Sequence, residues 1–152
     1  KMKSLLAELN MRYFNSANGL IFLIGMDWYE NLPKSCPPKD AKEPSGGSYY
    51  RILNSEHPSN TDFLSYRALD PNKRFAVSEC QAMAISLFTD IASCQAIAKL
   101  PKFKGKDLHI GELTLTKSDG LIAHTPNKNS TNHYSWWRSK CFDIKSVRLV
   151  NE

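Results

Sequence analysis

The strongest constraint on this chain is a series of short β-type segments that interrupt any long helical periodicity. The segments are rich in β-branched, aromatic and aliphatic residues, and glycine, proline, asparagine or aspartate lies close to most of their ends. Such short segments are typical of strands, because helices of globular proteins need a longer run with a 3.6-residue period. We predict strands at residues 48–53, 84–88, 107–116, 121–124, 133–137 and 147–150.

Helix signals lie between these segments. Ser59 followed by Asp62 resembles a capping box, and Thr89 or Asp90 is a suitable cap for a helix that Pro101 ends. Helices come early and strands dominate the C-terminal half, which favours an α+β fold. We therefore predict a small twisted sheet, mixed or mostly antiparallel, with helices packed mainly on one side.

Two details of the sheet follow from residues 107–124. The apolar alternation shifts by one position at Gly111-Glu112, which predicts a β-bulge. Asp119-Gly120 is a tight-turn signal between two apolar runs, which predicts that residues 107–124 form a β-hairpin.

The N-terminal residues differ in style from the rest. Apolar residues recur at three- and four-residue spacing over 2–14, which predicts an amphipathic helix that stops at Asn18-Gly19. The run at 20–24 fits a strand or the start of another helix. A length of 152 residues suits one domain, so we interpret 1–25 as an N-terminal amphipathic extension and 26–152 as a single α+β domain. The extension either packs on the domain or contacts a partner.

Charge and aromatic content bear on nucleic-acid binding. The formal net charge is +5, and the densest basic stretch holds four lysines around a single aromatic residue, Phe103. A platform for stacking bases needs more aromatic residues than that. The alternative is a solvated loop, so nucleic acid ranks as a weak partner. The lysines are Lys99, Lys102, Lys104 and Lys106.

The four cysteines are scattered and form no C-x-x-C pair, which gives no zinc signature. Cys80 and Cys94 have apolar neighbours, as buried free thiols do. We therefore expect four reduced thiols and a cytoplasmic location. The histidines lack metal-ligand spacing, so no metal is expected, and no apolar run is long enough to span a bilayer.

The segment His133-Tyr134-Ser135-Trp136-Trp137 is the most unusual local feature. On a strand, His133, Ser135 and Trp137 share one face, which favours a pocket with an imidazole beside an aromatic wall. The alternative is that the tryptophans are core and the polar residues are surface. Arg51 on an earlier strand is either an anion clamp or a solvated side chain. The predicted pocket residues are Arg51, Ser86, His133, Ser135, Trp136 and Trp137.

We expect Arg51, Ser86 and His133 to converge with one of the two tryptophans. In that pocket Arg51 would hold an anionic group, Ser86 would offer a hydroxyl, and an indole would cover a ring. This combination suits a nucleotide or dinucleotide. No catalytic residue is assigned, because no acid has the spacing to orient His133 as a general base.

Several short motifs carry a family resemblance. They are Met26-Asp27-Trp28-Tyr29, Pro37-Pro38, Tyr50-Arg51-Ile52-Leu53, Asp62-Phe63-Leu64-Ser65, Glu79-Cys80, Ser86-Leu87-Phe88, His133-Tyr134-Ser135-Trp136-Trp137 and Phe142-Asp143. From about Met26 onward the chain resembles a group of short, uncharacterised bacterial proteins. The resemblance covers most of the domain and implies that 1–25 is an extension peculiar to this chain.

Two strands also carry a weaker similarity to the ADP-ribosyltransferase-like fold. Arg51 matches the first-strand residue that holds the dinucleotide there, and Ser86-Leu87-Phe88 matches a strand of hydroxyl, hydrophobic and aromatic residues that leads into a helix. The similarity implies NAD as cofactor and a catalytic acid on a late strand, for which Glu112 is a loose match.

Three functions follow as hypotheses, and whether the protein is an enzyme stays open. The first is a non-enzymatic accessory or protein-binding component of a bacterial conflict or mobile-element system, with a protein partner and no cofactor. The second is an NAD-dependent ADP-ribosyltransferase-like enzyme. The third is a nucleic-acid-binding or nucleic-acid-cutting protein. The sequence assigns no oligomeric state.

We expect any binding to nucleic acid to be weak and to fall steeply with salt, because the charge excess is small and diffuse. Fluorescence anisotropy with duplex and single-stranded oligonucleotides, compared at about 50 and about 200 mM salt, measures this. Nanomolar, sequence-selective binding at physiological salt would contradict it.

Overall fold

The computed structural model describes residues 11–16 and 19–150, and in this part the chain forms two antiparallel sheets. Strands β1 (Met11–Ser16) and β2 (Gly19–Ile24) pair with each other. Six further strands form the main sheet in the order β6-β7-β4-β3-β5-β8. These are β3 (Ser48–Leu53), β4 (Ile85–Phe88), β5 (His109–Thr114), β6 (Gly120–His124), β7 (His133–Arg138) and β8 (Arg148–Leu149).

The α-helices are short, and each begins at a side-chain cap. The α-helices of the described residues are α1 (Tyr66–Leu69), α2 (Glu79–Ala82) and α3 (Ile91–Ala98). Of the two predicted caps, Thr89 and Asp90, the structure has Asp90, whose carboxylate accepts a hydrogen bond from Ser93 N at the start of α3. The 3-10 helices are Asn60–Phe63, Pro101–Phe103 and Ile144–Ser146. The α+β class is confirmed, and the sheet is antiparallel at every pairing described.

The core lies on both faces of the main sheet because successive residues of a strand point to opposite faces. One face packs Leu53, Leu87, Leu113 and Trp136 in a single buried cluster. The other face packs Phe88 and Ile110 against Cys94 of α3. Burial on both faces is complete at β4, where every residue from Ile85 to Phe88 is buried.

The predicted hairpin at 107–124 is wrong. β5 pairs with β3 and β8, whereas β6 lies at the other edge of the sheet and pairs with β7. A strand does begin at Gly120, as the Asp119-Gly120 turn signal indicates. A turn signal does not determine which other strand this strand pairs with.

The predicted β-bulge is also wrong. β5 and β3 pair in unbroken register from Thr114 opposite Ser48 to His109 opposite Leu53. The alternation shifts because Gly111 is buried where its missing side chain makes room for Leu53 and Val147.

The helix predicted at 2–14 fails over its described part. Residues 1–10 lie outside the described residues, but β1 begins at Met11 and pairs with β2 in register from Met11–Ile24 to Ser16–Gly19. The ambiguous run at 20–24 is therefore a strand. Apolar runs on either side of Asn-Gly are a hairpin signal, and here that signal prevails over the helical spacing. The division into 1–25 and 26–152 stays a prediction.

The prediction of four reduced cysteines is wrong for two of them. Cys36 and Cys80 form a disulfide, whereas Cys94 is buried and free and Cys141 is exposed and free. The proline-rich loop at 33–47, which precedes β3, brings Cys36 onto Cys80 of α2, 44 residues away. Apolar neighbours suit a disulfide as well as a free thiol, so the sequence did not separate the two states.

The same loop also covers part of the sheet edge. Lys42 N and Ile122 N each donate a hydrogen bond to the other residue's carbonyl oxygen at 2.8 Å, which joins the loop to β6.

Within the described residues, no helix has both the length and the apolar content needed to span a membrane.

We expect Gly120→Ala to lower the free energy of unfolding by about 3 kcal/mol or more. Gly120 has a φ of +131°, and an added methyl group would overlap the Trp137 carbonyl oxygen. Gly47→Ala is the matched control, since no atom lies within 4 Å of its added methyl group. Its stability should change by less than about 0.5 kcal/mol. Equal denaturation midpoints for the two variants would contradict the described start of β6.

Candidate functional site

Arg51 lies between the two central strands, β3 and β4. In the described structure these strands pair only at Tyr50 and Phe88. Beyond that point Arg51 Nη1 donates to Ser86 O at 2.8 Å, and Arg51 Nε donates to Asp62 O at 2.6 Å. A guanidinium thus joins the strands where backbone pairing ends.

The charge of Arg51 is not neutralised by direct contact with a carboxylate. No salt bridge among residues 25–150 includes Arg51, and the Asp62 carboxylate instead accepts from Asn54 N and Ser59 N. Burial lowers the pKa of Arg51, while Tyr66 and Asp62 nearby oppose that effect. An arginine keeps its proton in proteins, so a positive charge remains at this point.

Ser86 and His133 form the centre of the site. Ser86 Oγ lies 2.7 Å from His133 Nε2, and Thr125 O lies 2.8 Å from His133 Nδ1. A carbonyl oxygen only accepts, so in the neutral ring Nδ1 carries the proton and donates to Thr125 O. Nε2 is then the acceptor, and the Ser86 hydroxyl donates to it.

Tyr66 extends this network toward the surface. Its hydroxyl lies 2.8 Å from Ser86 Oγ, and because the Ser86 proton points to His133, Tyr66 is the donor. Burial lowers the pKa of His133, the Thr125 carbonyl raises it, and the nearby His124 lowers it further. His133 is therefore a neutral imidazole near pH 7.

A pocket of about 220 Å³ opens beside these groups. Its polar lining brings together three cationic side chains, two hydroxyls and an amide, and none of its lining residues is acidic. The apolar part comes from β3, β4, α1, α3 and the loop after α3. The polar lining residues are Arg51, Asn54, Tyr66, Ser86, Lys102 and Lys106.

The two lysines reach the pocket from the segment after α3, where Lys102 lies in the 3-10 helix Pro101–Phe103 and Lys106 follows it. Their ammonium groups lie 5.0 Å (Lys102) and 5.7 Å (Lys106) from the ring centroid of Phe103, which also lines the pocket. The sequence showed this basic stretch around an aromatic residue. Lys102 and Lys106 are exposed, as a solvated loop predicts, and they also line the pocket, which the local sequence does not indicate.

A second cavity adjoins the first across Ile52, which lines both. It measures about 450 Å³ and includes Lys99 and His109 among its lining residues.

The structure brings Arg51, Ser86 and His133 together and leaves the other predicted pocket residues elsewhere. Trp136 is fully buried in the core, and its Nε1 donates to Asp119 O at 3.0 Å. Trp137 packs under the proline-rich loop, and its Nε1 donates to Cys80 O at 2.9 Å. Ser135 Oγ lies 2.8 Å from Thr125 Oγ1 and does not line the pocket.

Glu112, the acid suggested by the similarity to ADP-ribosyltransferase-like proteins, lies outside the pocket. It is on β5, opposite Tyr50, and forms an ion pair with Arg148 that holds the pKa of the Glu112 carboxyl below its usual range. In the part of the chain that the structure describes, no three His, Cys, Asp or Glu side chains are grouped as metal ligands.

Comparison of the chain with protein-family models, curated proteins and solved structures gives no match. The chemistry of the site therefore has to be argued from its own geometry.

We expect the folded protein to lose stability as pH falls below about 6.5, the ordinary histidine pKa. The folded pKa of His133 is lowered, so the unfolded chain binds its proton first, and stability rises with pH through this window. The loss of stability should stop once the pH is below the lowered pKa of His133 in the folded protein. His133→Gln should remove this part of the dependence.

Urea denaturation of both proteins between about pH 5 and 8 measures the difference. Carboxylates titrate in both proteins, so their contribution cancels in the comparison. An identical pH dependence for both proteins would contradict a buried neutral His133.

Proposed function

We propose that this protein binds a phosphorylated, nucleotide-class ligand in the pocket beside Arg51. The observation that carries the proposal is the convergence of Arg51, Lys102 and Lys106 with two hydroxyls in a pocket lined by no carboxylate. Cationic side chains in a cleft without a compensating acid favour an anion. Guanidinium and ammonium groups are the usual phosphate ligands of proteins.

The apolar lining supports a ligand that carries a ring. Ile52, Phe88 and Ile97 line the same pocket as the cations, and Phe103 adds a second aromatic side chain. A volume of about 220 Å³ is below that of a typical pocket for a whole drug-sized ligand. It suits a phosphate with part of a nucleoside.

NAD-dependent ADP-ribosyl transfer is a second candidate. The contact of Arg51 with the Ser86 carbonyl, at 2.8 Å, favours it, because both residues carry the similarity to that fold. Glu112 lies outside the pocket and is paired with Arg148, which argues against transfer through this acid. The proposal is therefore ligand binding, and NAD is one of the ligands to test.

The accessory, protein-binding role in a bacterial conflict or mobile-element system is a further candidate. Its support is the exposure of the large apolar residues Tyr66, Leu69 and Val77. Tyr66 and Leu69 also line the pocket, so a protein partner at this surface and a ligand would compete. Nucleic acid has only the diffuse net charge of +5 in its favour.

A cytoplasmic location, which the sequence analysis expects, is likewise a proposal. The Cys36–Cys80 disulfide weighs against it, since disulfides are rare in cytosolic proteins and common in oxidising compartments.

We expect ADP, NAD or both to bind in isothermal titration calorimetry, and K102A/K106A to weaken binding about tenfold, or about 1.4 kcal/mol. The double variant removes two pocket cations on an exposed loop and leaves Arg51 in place. Lys104→Ala is the matched control, because it removes a charge from the same loop at a residue that does not line the pocket.

Lys104→Ala should bind ADP with an affinity close to that of the unmodified protein. Absence of ADP and NAD binding at millimolar concentration would refute the proposal. An equal loss of affinity in the control and the double variant would show that net charge, and not the pocket, governs binding.

A further inference from the structure

The Ser86–His133 pair has the hydrogen-bond pattern of an activated serine. A neutral imidazole accepts a hydrogen bond from the serine hydroxyl at Nε2, with 2.7 Å between the heavy atoms, while its other nitrogen donates to a fixed acceptor. In serine hydrolases that acceptor is commonly a carboxylate, which holds the ring and its tautomer. Here the acceptor is the main-chain oxygen of Thr125, at 2.8 Å.

The surroundings place this pair at a ligand site. Ser86 lines the pocket beside Arg51, whereas His133 is 8 % exposed and lies behind it. The Phe88 ring, which lines the pocket, lies 5.5 Å from the His133 ring between centroids. A base that is shielded from water and kept neutral is able to accept a proton at neutral pH.

We propose that Ser86 is a catalytic nucleophile and His133 its general base in the hydrolysis of carboxylic esters that carry an anionic group. The anionic group rests on the proposed function, because Arg51, Lys102 and Lys106 would bind it. The nucleophile itself rests only on the contacts of Ser86 and His133.

The reaction has two balanced stages. In the first, Ser86 Oγ bonds to the ester carbonyl carbon while its proton moves to His133 Nε2, and the ester C–O bond then breaks as Nε2–H protonates the leaving alcohol. In the second, water attacks the acyl carbon, gives one proton to Nε2, and Ser86 Oγ leaves as it takes that proton back. The carboxylic acid is released, and water is the co-reactant.

Donors for the developing negative charge lie on the pocket side of Ser86. The Tyr66 hydroxyl donates to Ser86 Oγ at 2.8 Å in the resting site, and the Arg51 guanidinium lines the same pocket. Preorganised donors of this kind stabilise the tetrahedral oxyanion of acyl transfer.

The test is covalent labelling with a neutral alkyl fluorophosphonate, followed by mass spectrometry of the digested protein. Attack by Ser86 Oγ on phosphorus expels fluoride and leaves a phosphonyl ester on Ser86. We expect the label at Ser86, and His133→Gln should slow it by about 100-fold or more, the usual contribution of a general base. A buried serine, Ser139, donates to Ser118 O away from the pocket, so Ser139→Ala should label at the wild-type rate.

Absence of label on Ser86 in the unmodified protein would overturn the proposal, and this result requires no variant to fold. Labelling of His133→Gln at the wild-type rate would overturn it as well. Circular dichroism and the urea midpoint of each variant show whether a lost label reflects lost structure. If His133→Gln is unfolded, the position of the label on the unmodified protein decides.

A second measurement separates this proposal from the binding proposal. After spontaneous hydrolysis has been subtracted, we expect kcat/KM to be higher for mono-p-nitrophenyl succinate than for p-nitrophenyl acetate, and K102A/K106A to remove the preference. If Ser86 is labelled but the anionic ester is not preferred, Ser86 is supported as the nucleophile and the proposal of an anionic substrate is overturned. ADP binding without a label overturns the nucleophile and supports the binding proposal.

Discussion

The centre of this structure depends on the two hydrogen bonds that the Arg51 guanidinium donates. It satisfies the carbonyl oxygens of Ser86 and Asp62 where β3 and β4 no longer pair, so one side chain joins two strands and the segment before α1. Buried carbonyl groups left without donors are costly, and so is a buried charge without partners. The same separation of strands gives Ser86 access to the pocket, so the fold and the candidate site share one cause.

Local signals predicted the parts of the fold that local chemistry determines. The strand at 48–53 and the Asp90 cap are found as predicted, because residue preference and side-chain hydrogen bonds act over a few positions. Partner choice is not local. The hairpin at 107–124 failed for that reason, since β3 and β8 occupy both sides of β5. The prediction of four reduced cysteines failed for the same reason, because a loop brings Cys36 and Cys80 together from positions far apart in sequence.

The site shows the same division. Arg51, Ser86 and His133 were identifiable because polar residues inside apolar strands need a partner or a function. Trp136 and Trp137 belong to the packing of the sheet, and residue type alone does not separate a core indole from one that lines a pocket. The lysines after α3 were visible as charge, but their position depends on how the loop returns to β3.

The loop-to-β6 contact also determines how the sheet meets its surroundings. An antiparallel sheet offers unpaired N–H and C=O groups along its two outer strands, and these groups invite strands from other chains. On β6, one of the two outer strands, the backbone N–H and C=O of Ile122 are both hydrogen-bonded to Lys42. The other outer strand, β8, is only two residues long. The outer strands of the main sheet therefore leave few unpaired N–H and C=O groups to which a strand of another molecule could bind. Contacts of this domain with other molecules should use side chains rather than extension of the main sheet.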